Sequence, residues 1–260
     1  MKEILEDRRS EKERQKNNLQ KLSARLTDQK QLVEINTANR SQLFNETRNK
    51  ESLYRKLYEE RLAAKEALER EIFDYESQLK FILDPASLPI PRTNVFGWPL
   101  DKVYITQEFG ATVAARRLYA SGSHNGIDFR ASIGTLVKAM LGGTVLGAGN
   151  TDITCVGASF GKWILIGHQN GLASLYAHLS LIKVSKGENV SAGQVIGYSG
   201  NTGYSTGPHL HVTVYAGSGV KIESRPSRVC GGRTYTMPLA PINAYLDPML
   251  YLPSYNNNRF

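Results

Sequence analysis

Residues 195–217 read VIGYSGNTGYSTGPHLHVTVYAG. A short run of β-branched and aromatic residues stands at each end, and Gly200, Gly203, Gly207 and Pro208 crowd the turn between them. That is the pattern of two strands joined by a tight loop. It recurs upstream in VYITQEFG, GTLVKAMLGGTVLGAG, GKWILIGHQNGLASLYAHLS and GENVSAGQVIGYSG, with almost no helical periodicity. Short strands at close spacing predict an all-β, antiparallel domain, a sandwich or a barrel-like pair of sheets. Residues i and i+2 of a strand share a face, so His209 and His211 send both imidazoles into one space.

The first 84 residues are built differently. Between Leu19 and Leu83 there is no proline or glycine, and apolar residues recur at three- and four-residue steps. Leu19, Leu22 and Leu26 form one stretch; Leu57, Ala64, Leu68, Tyr75, Leu79 and Ile82 form another. Flanked by Glu and Lys/Arg, they read as a coiled-coil-like seam. Between them the polar EINTANRSQLFNETRNK (34–50) is either a stutter in one long helix or the tip of an antiparallel hairpin. Four prolines in LDPASLPIPRTNVFGWP (83–99) then exclude helix continuation. The expected organisation is a coiled-coil region over 1–84, a Pro-rich linker over 85–97, the β domain over 98–252 and a tail over 253–260.

Charge follows the same division. The net charge of +8 splits into +1 over residues 1–84, where charges are dense and balanced, and +7 over 85–260. A basic balance attracts nucleic acid, anionic membrane or an acidic wall alike. No Lys/Arg cluster with interleaved aromatics is present, so no nucleic-acid partner is expected. No apolar run approaches the roughly 20 residues that span a bilayer. The opening MKEILEDRRSEKERQK lacks the apolar core of a signal peptide and starts inside a charged helical pattern, so an export signal or anchor is expected upstream. Cys155 and Cys230 form no CxxC, which argues against a thiolate metal site. They pair if the protein works outside the cytoplasm and are two buried thiols otherwise.

Four of the five histidines fall in three motifs: SHNGIDF with His124 and Asp128, YAHLS with His178, and PHLH with His209 and His211. Zinc sites that do chemistry use three N/O ligands and keep a fourth position open. His124, Asp128 and one histidine of the PHLH pair would supply that set. His178 and the remaining imidazole would stay beside the metal without ligating it. The HExxH signature and its glutamate base are absent. A neutral imidazole near its reference pKa of about 6.5 is the natural replacement.

The order of these motifs, with QEFG, GTLVKA, GGTVLGAG, HQNGLASLYAHLS and VSAGQVIGYSGNTGYSTGPHLHV, resembles the lysostaphin/LytM-type zinc metallopeptidases over roughly Trp98 to Val214. The resemblance implies that His124, Asp128 and His211 bind one zinc ion and that His178 and His209 act in catalysis. It implies a peptidoglycan endopeptidase working outside the cytoplasm, in the periplasm or cell envelope. Some members of the family have lost ligands and activate cell-wall amidases instead, so a non-catalytic adaptor acting through the coiled coil is the alternative. All five positions are filled here. Peptidoglycan is the expected partner; a membrane or division-complex protein, or a second copy, would meet the coil. The family usually continues HLH with Phe-Glu, whereas this chain has Val212 and Thr213, a departure expected to touch local packing and not the metal site.

Tyr204, in the loop before PHLH, is a candidate for the substrate groove. His168 reads as a turn or rim residue. GTLVKAMLGGTVLGAG and VSKGENVSAGQVIG also resemble the hairpins of biotinyl/lipoyl carriers, with Lys138 as the attachment lysine. That reading accounts for neither the histidines nor Asp128.

Overall fold

The computed structural model describes residues 2–47, 51–80, 91, 93–119 and 121–255. Most of the expected linker over 85–97, and residues 256–260 of the tail, lie outside the described residues. The described chain divides into two units, residues 1–53 and 54–260. The first is dominated by helix α1 (Lys2–Thr47), which leaves Leu19, Leu22 and Leu26 exposed. Among the described residues no helix is long and apolar enough to cross a membrane.

The second unit is an antiparallel β domain with most of helix α2 (Glu51–Gln78) packed on it. Its main sheet runs in the order β1 (Ile105–Gln107), β2 (Ile127–Arg130), β9 (His209–Ala216), β6 (Leu172–Ile182), β5 (Lys162–Gly167), β4 (Gly143–Asn150), β7 (Asn189–Val190). Strand β8 (Val195–Ser199) pairs with β6 and with β3 (Leu136–Lys138), and β12 (Tyr245–Leu246) pairs with β9. A separate hairpin is formed by β10 (Lys221–Pro226) and β11 (Thr234–Leu239). The short helix α3 (Val113–Leu118) is capped by the Thr112 hydroxyl, which accepts from Ala115 N at 3.0 Å. Lys138 pairs with Asp101 at the surface.

The strand period explains why the sheet is buried on both faces. On β5, Ile164 and Ile166 enter one core with Ile127, Phe129, Leu210, Val212 and Val214. Trp163 and Leu165 turn the other way, into a second core with Leu175, Tyr215 and Met237. Leu68 and Ile72 of α2, one helical turn apart, complete that second core. On β9 the same alternation leaves His209, His211, Thr213 and Tyr215 in a row on the second face.

Polar contacts fix α2 there. The Glu71 carboxylate accepts from Ser227 Oγ and from the backbone N–H groups of Arg228 and Val229. Buried Glu76 accepts from Ala240 N at 3.1 Å and from the Tyr245 hydroxyl at 2.7 Å. A disulfide joins Cys155, beyond β4, to Cys230 in the β10–β11 turn.

Candidate active site

The sheet brings His124, Asp128 and His211 together from three places in the sequence. Asp128 on β2 is the register partner of His211 on β9, and the backbone of His124 bridges to Gly110. Asp128 Oδ1 lies 2.9 Å from His211 Nδ1 and 3.3 Å from His124 Nε2, and those two nitrogens are 3.1 Å apart. All three residues are buried. Burial alone would raise the Asp128 carboxyl, but hydrogen bonds and attraction from His124 and His211 hold it well below the usual carboxylate range. Burial pushes His211 down to about 4, against the pull of Asp128.

This triangle matches the donor set of a tetrahedral cation. Around zinc with ligand distances of about 2.0–2.2 Å, neighbouring donors stand roughly 3.3–3.6 Å apart. The three separations fall at or slightly under that spacing, and two nitrogens with one carboxylate oxygen suit zinc. His124 Nδ1 donates to the Glu108 carbonyl at 3.1 Å, which leaves Nε2 free to ligate. Gly126, between His124 and Asp128, allows the approach: a Cβ there would lie 2.3 Å from Val212 O and 2.7 Å from the His211 ring.

His178 and His209 stand beside the triangle. Their rings are 4.6 Å apart, and His178 is 5.7 Å from the His211 ring. His178 has φ +58°, in the left-handed region, at an irregularity of β6 where its N–H turns to the Phe160 carbonyl. Such backbone in a non-glycine residue is costly and clusters at functional sites. His178 Nδ1 donates to Thr202 O at 2.7 Å, and His209 Nδ1 donates to Gly207 O at 2.8 Å. A carbonyl only accepts, so both rings carry their neutral-state proton on Nδ1 and present Nε2 as a base. His209 Nε2 reaches to 3.6 Å from Asp128 Oδ1. Burial, with His209 and His211 nearby, holds His178 well below the ordinary imidazole range.

Tyr204 lines the cavity in front of the imidazoles, with Tyr119, which stacks on His124 at 5.3 Å. Burial and the nearby Glu69 and Glu66 push the Tyr204 hydroxyl up to about 12. The cavity is roofed by Glu69, Ile72 and Phe73 of α2 and encloses about 140 Å³, under the roughly 300 Å³ at which ligand pockets begin. His168 lies elsewhere, buried instead of on a rim: its Nδ1 donates to Gly142 O at 3.0 Å and its Nε2 meets Ser174 Oγ at 2.8 Å.

Residues 122–223 match the family described as peptidase family M23. They form an M23 domain. Mpg of Neisseria meningitidis serogroup B, a DD-carboxypeptidase/endopeptidase, is 44% identical over 88 residues, 34% of this chain and 19% of that protein. The peptidoglycan DD-endopeptidase ShyA of Vibrio cholerae is 47% identical over 88 residues, again 34% and 19%. The catalytic domain of lysostaphin from Staphylococcus simulans is 30% identical, with 56% of this chain and 90% of that one covered and a TM-score of 0.41. The chain thus spans about a fifth of the length of the curated relatives.

Several groups that hold the M23 site had no place in the sequence reading. The anchors of His124, His178 and His209 are carbonyl oxygens of Glu108, Thr202 and Gly207, which any residue type provides. Gly126 was readable only as part of a turn. The Thr213 hydroxyl meets His211 Nε2 at 2.8 Å, so the departure from Phe-Glu touches the site itself.

Proposed function

We propose that this protein is a zinc-dependent endopeptidase that hydrolyses peptide bonds in peptidoglycan stem peptides or cross-bridges. The observation that carries the reading is the pairing of a zinc-sized donor triangle with two further imidazoles whose Nε2 atoms face the same cleft. His124 Nε2, Asp128 Oδ1 and His211 Nδ1 would hold the ion. A bound zinc ion supplies Lewis acidity at the scissile carbonyl and lowers the pKa of water toward about 7. One of His178 and His209 would accept the proton of the attacking water on Nε2, and that protonated imidazole would then hydrogen-bond the tetrahedral oxyanion and pass the same proton to the leaving amine. Tyr204 and Tyr119 bracket the substrate backbone at the cleft wall. The activities for which Mpg and ShyA are named support the substrate class, and that substrate, with the disulfide, supports an extracytoplasmic site of action.

The roof formed by α2 favours a second reading. The cavity lined by Glu69, Ile72 and Phe73 is smaller than a usual ligand pocket, so either α2 moves to admit a cross-linked peptide or the domain acts without hydrolysis, as an adaptor that recruits an amidase or envelope complex through its helices. The separating experiment incubates zinc-loaded full-length protein with purified sacculi of known cross-link type and weighs the released fragments by mass spectrometry. Release of muropeptides cut at a peptide bond supports the enzyme. Intact sacculi, with stimulation of an added amidase, would establish the adaptor.

A further inference from the structure

We infer that Thr213 is the positioning residue that turns His211 toward the metal. The inference rests on the zinc reading above and assigns a residue that its five side chains do not include.

Four imidazoles surround the cleft, and three have their outer nitrogen tied to a main-chain carbonyl: His124 to Glu108, His178 to Thr202, His209 to Gly207. A carbonyl accepts and never donates, so the backbone fixes which nitrogen of those rings is free. His211 differs in having a side chain and no carbonyl there, whereas His209 Nδ1 meets the Ser205 hydroxyl at 3.1 Å in addition to the Gly207 carbonyl. His211 Nε2 lies 2.8 Å from Thr213 Oγ1, two residues along β9 and on the same face. A hydroxyl both donates and accepts. Only when Oγ1 accepts from Nε2–H is Nδ1 left with a lone pair for the metal, aimed at Asp128 Oδ1 and His124 Nε2.

The hydroxyl proton of Thr213 then needs its own acceptor. Tyr215, two residues further along the same face, carries the candidate acceptor. Its hydroxyl oxygen is buried with no partner at full hydrogen-bond geometry, and the Thr213 hydroxyl faces it. The hydroxyls of Thr213 and Tyr245 both lie toward that oxygen, and Thr213 is fully buried and shielded from competing water.

The test compares wild type, Thr213→Val and Thr213→Ser for zinc affinity by chelator competition and for the visible spectrum of the cobalt-loaded protein. Circular dichroism and thermal melting check that each variant folds. Valine keeps the shape and removes the acceptor, so zinc affinity is expected to fall about 10- to 100-fold with an altered cobalt spectrum. Serine restores the hydroxyl and is expected to bind within about threefold of wild type. If folded Thr213→Val holds zinc as tightly as wild type, or if Ser fails to rescue, the assignment is overturned. If wild type itself holds no zinc, the zinc reading fails and this assignment falls with it.

Discussion

His124 Nε2 and His211 Nδ1 face each other at 3.1 Å, with Asp128 Oδ1 closing the triangle, although His211 and His209 sit on the same strand face only two residues apart. The strand gives both rings one direction, and their anchors give them different atoms: Nδ1 of His211 and Nε2 of His209 point inward. Replacing His211 with alanine should abolish zinc binding and activity together. Replacing His209 should keep zinc and lower turnover by about 10²–10⁴-fold. Zinc content by atomic absorption beside kcat on a cross-bridge peptide checks this; equal zinc loss in both variants would refute the division of labour.

Gly126 should tolerate no side chain. An added methyl meets Val212 O and the His211 ring well inside contact distance, so β2 and β9 must part where they carry two donors. Gly126→Ala is expected to cost about 1–3 kcal/mol of stability and to weaken zinc binding by more than tenfold, read by urea unfolding and chelator competition.

Closure by α2 should depend on pH through Glu76. Burial raises its pKa from 4.5 to about 7, although Tyr245 and Ala240 donate hydrogen bonds that favour the ionised form. Nearby Glu69 is also raised to about 7, by burial and by Glu76. The folded pKa exceeds the free one, so the docked helix takes up protons between pH 4.5 and 7. Docking is therefore fully favoured below 4.5 and weakens as pH rises through 7. Hydrogen exchange of α2 amides should accelerate over that window, and Glu76→Gln should flatten the response. Ile72→Asp should leave α2 loose at any pH and raise the initial rate on peptidoglycan; an unchanged rate would mean the roof does not limit entry.

The Cys155–Cys230 bridge closes a separation of 75 residues and holds the turn whose backbone N–H groups bind Glu71. A loop of that size is worth about 4 kcal/mol in the unfolded chain. Reduction, or Cys155→Ser with Cys230→Ser, is expected to lower Tm by roughly 10 °C, measured by calorimetry.

Much of the site was legible because its chemistry rides on side chains. His124, Asp128, His178, His209 and His211 are the residue types a zinc hydrolase needs, and strands with glycine turns were readable from period and composition. Their meeting in one cleft follows from sheet registers that no local pattern encodes, such as Asp128 opposite His211 and Ala177 opposite His211. The carbonyl anchors were invisible, since the Thr202 carbonyl is the same atom on any residue. The destination of Leu68 and Ile72 was equally hidden. An apolar helical stripe looks alike whether it will meet another helix or a sheet, and only the second core on β5 and β6 shows what it covers.

The left-handed backbone at His178 sets a rule for anyone who wants a silent version of the protein, one that grips an uncut substrate for imaging or capture. Most side chains at φ +58° would lose the loop along with the base, and a β-branched replacement would suffer most. Asparagine accepts that conformation far more readily than alanine or valine. His178→Asn is thus the exchange expected to remove the proposed proton acceptor while keeping the left-handed backbone at that position.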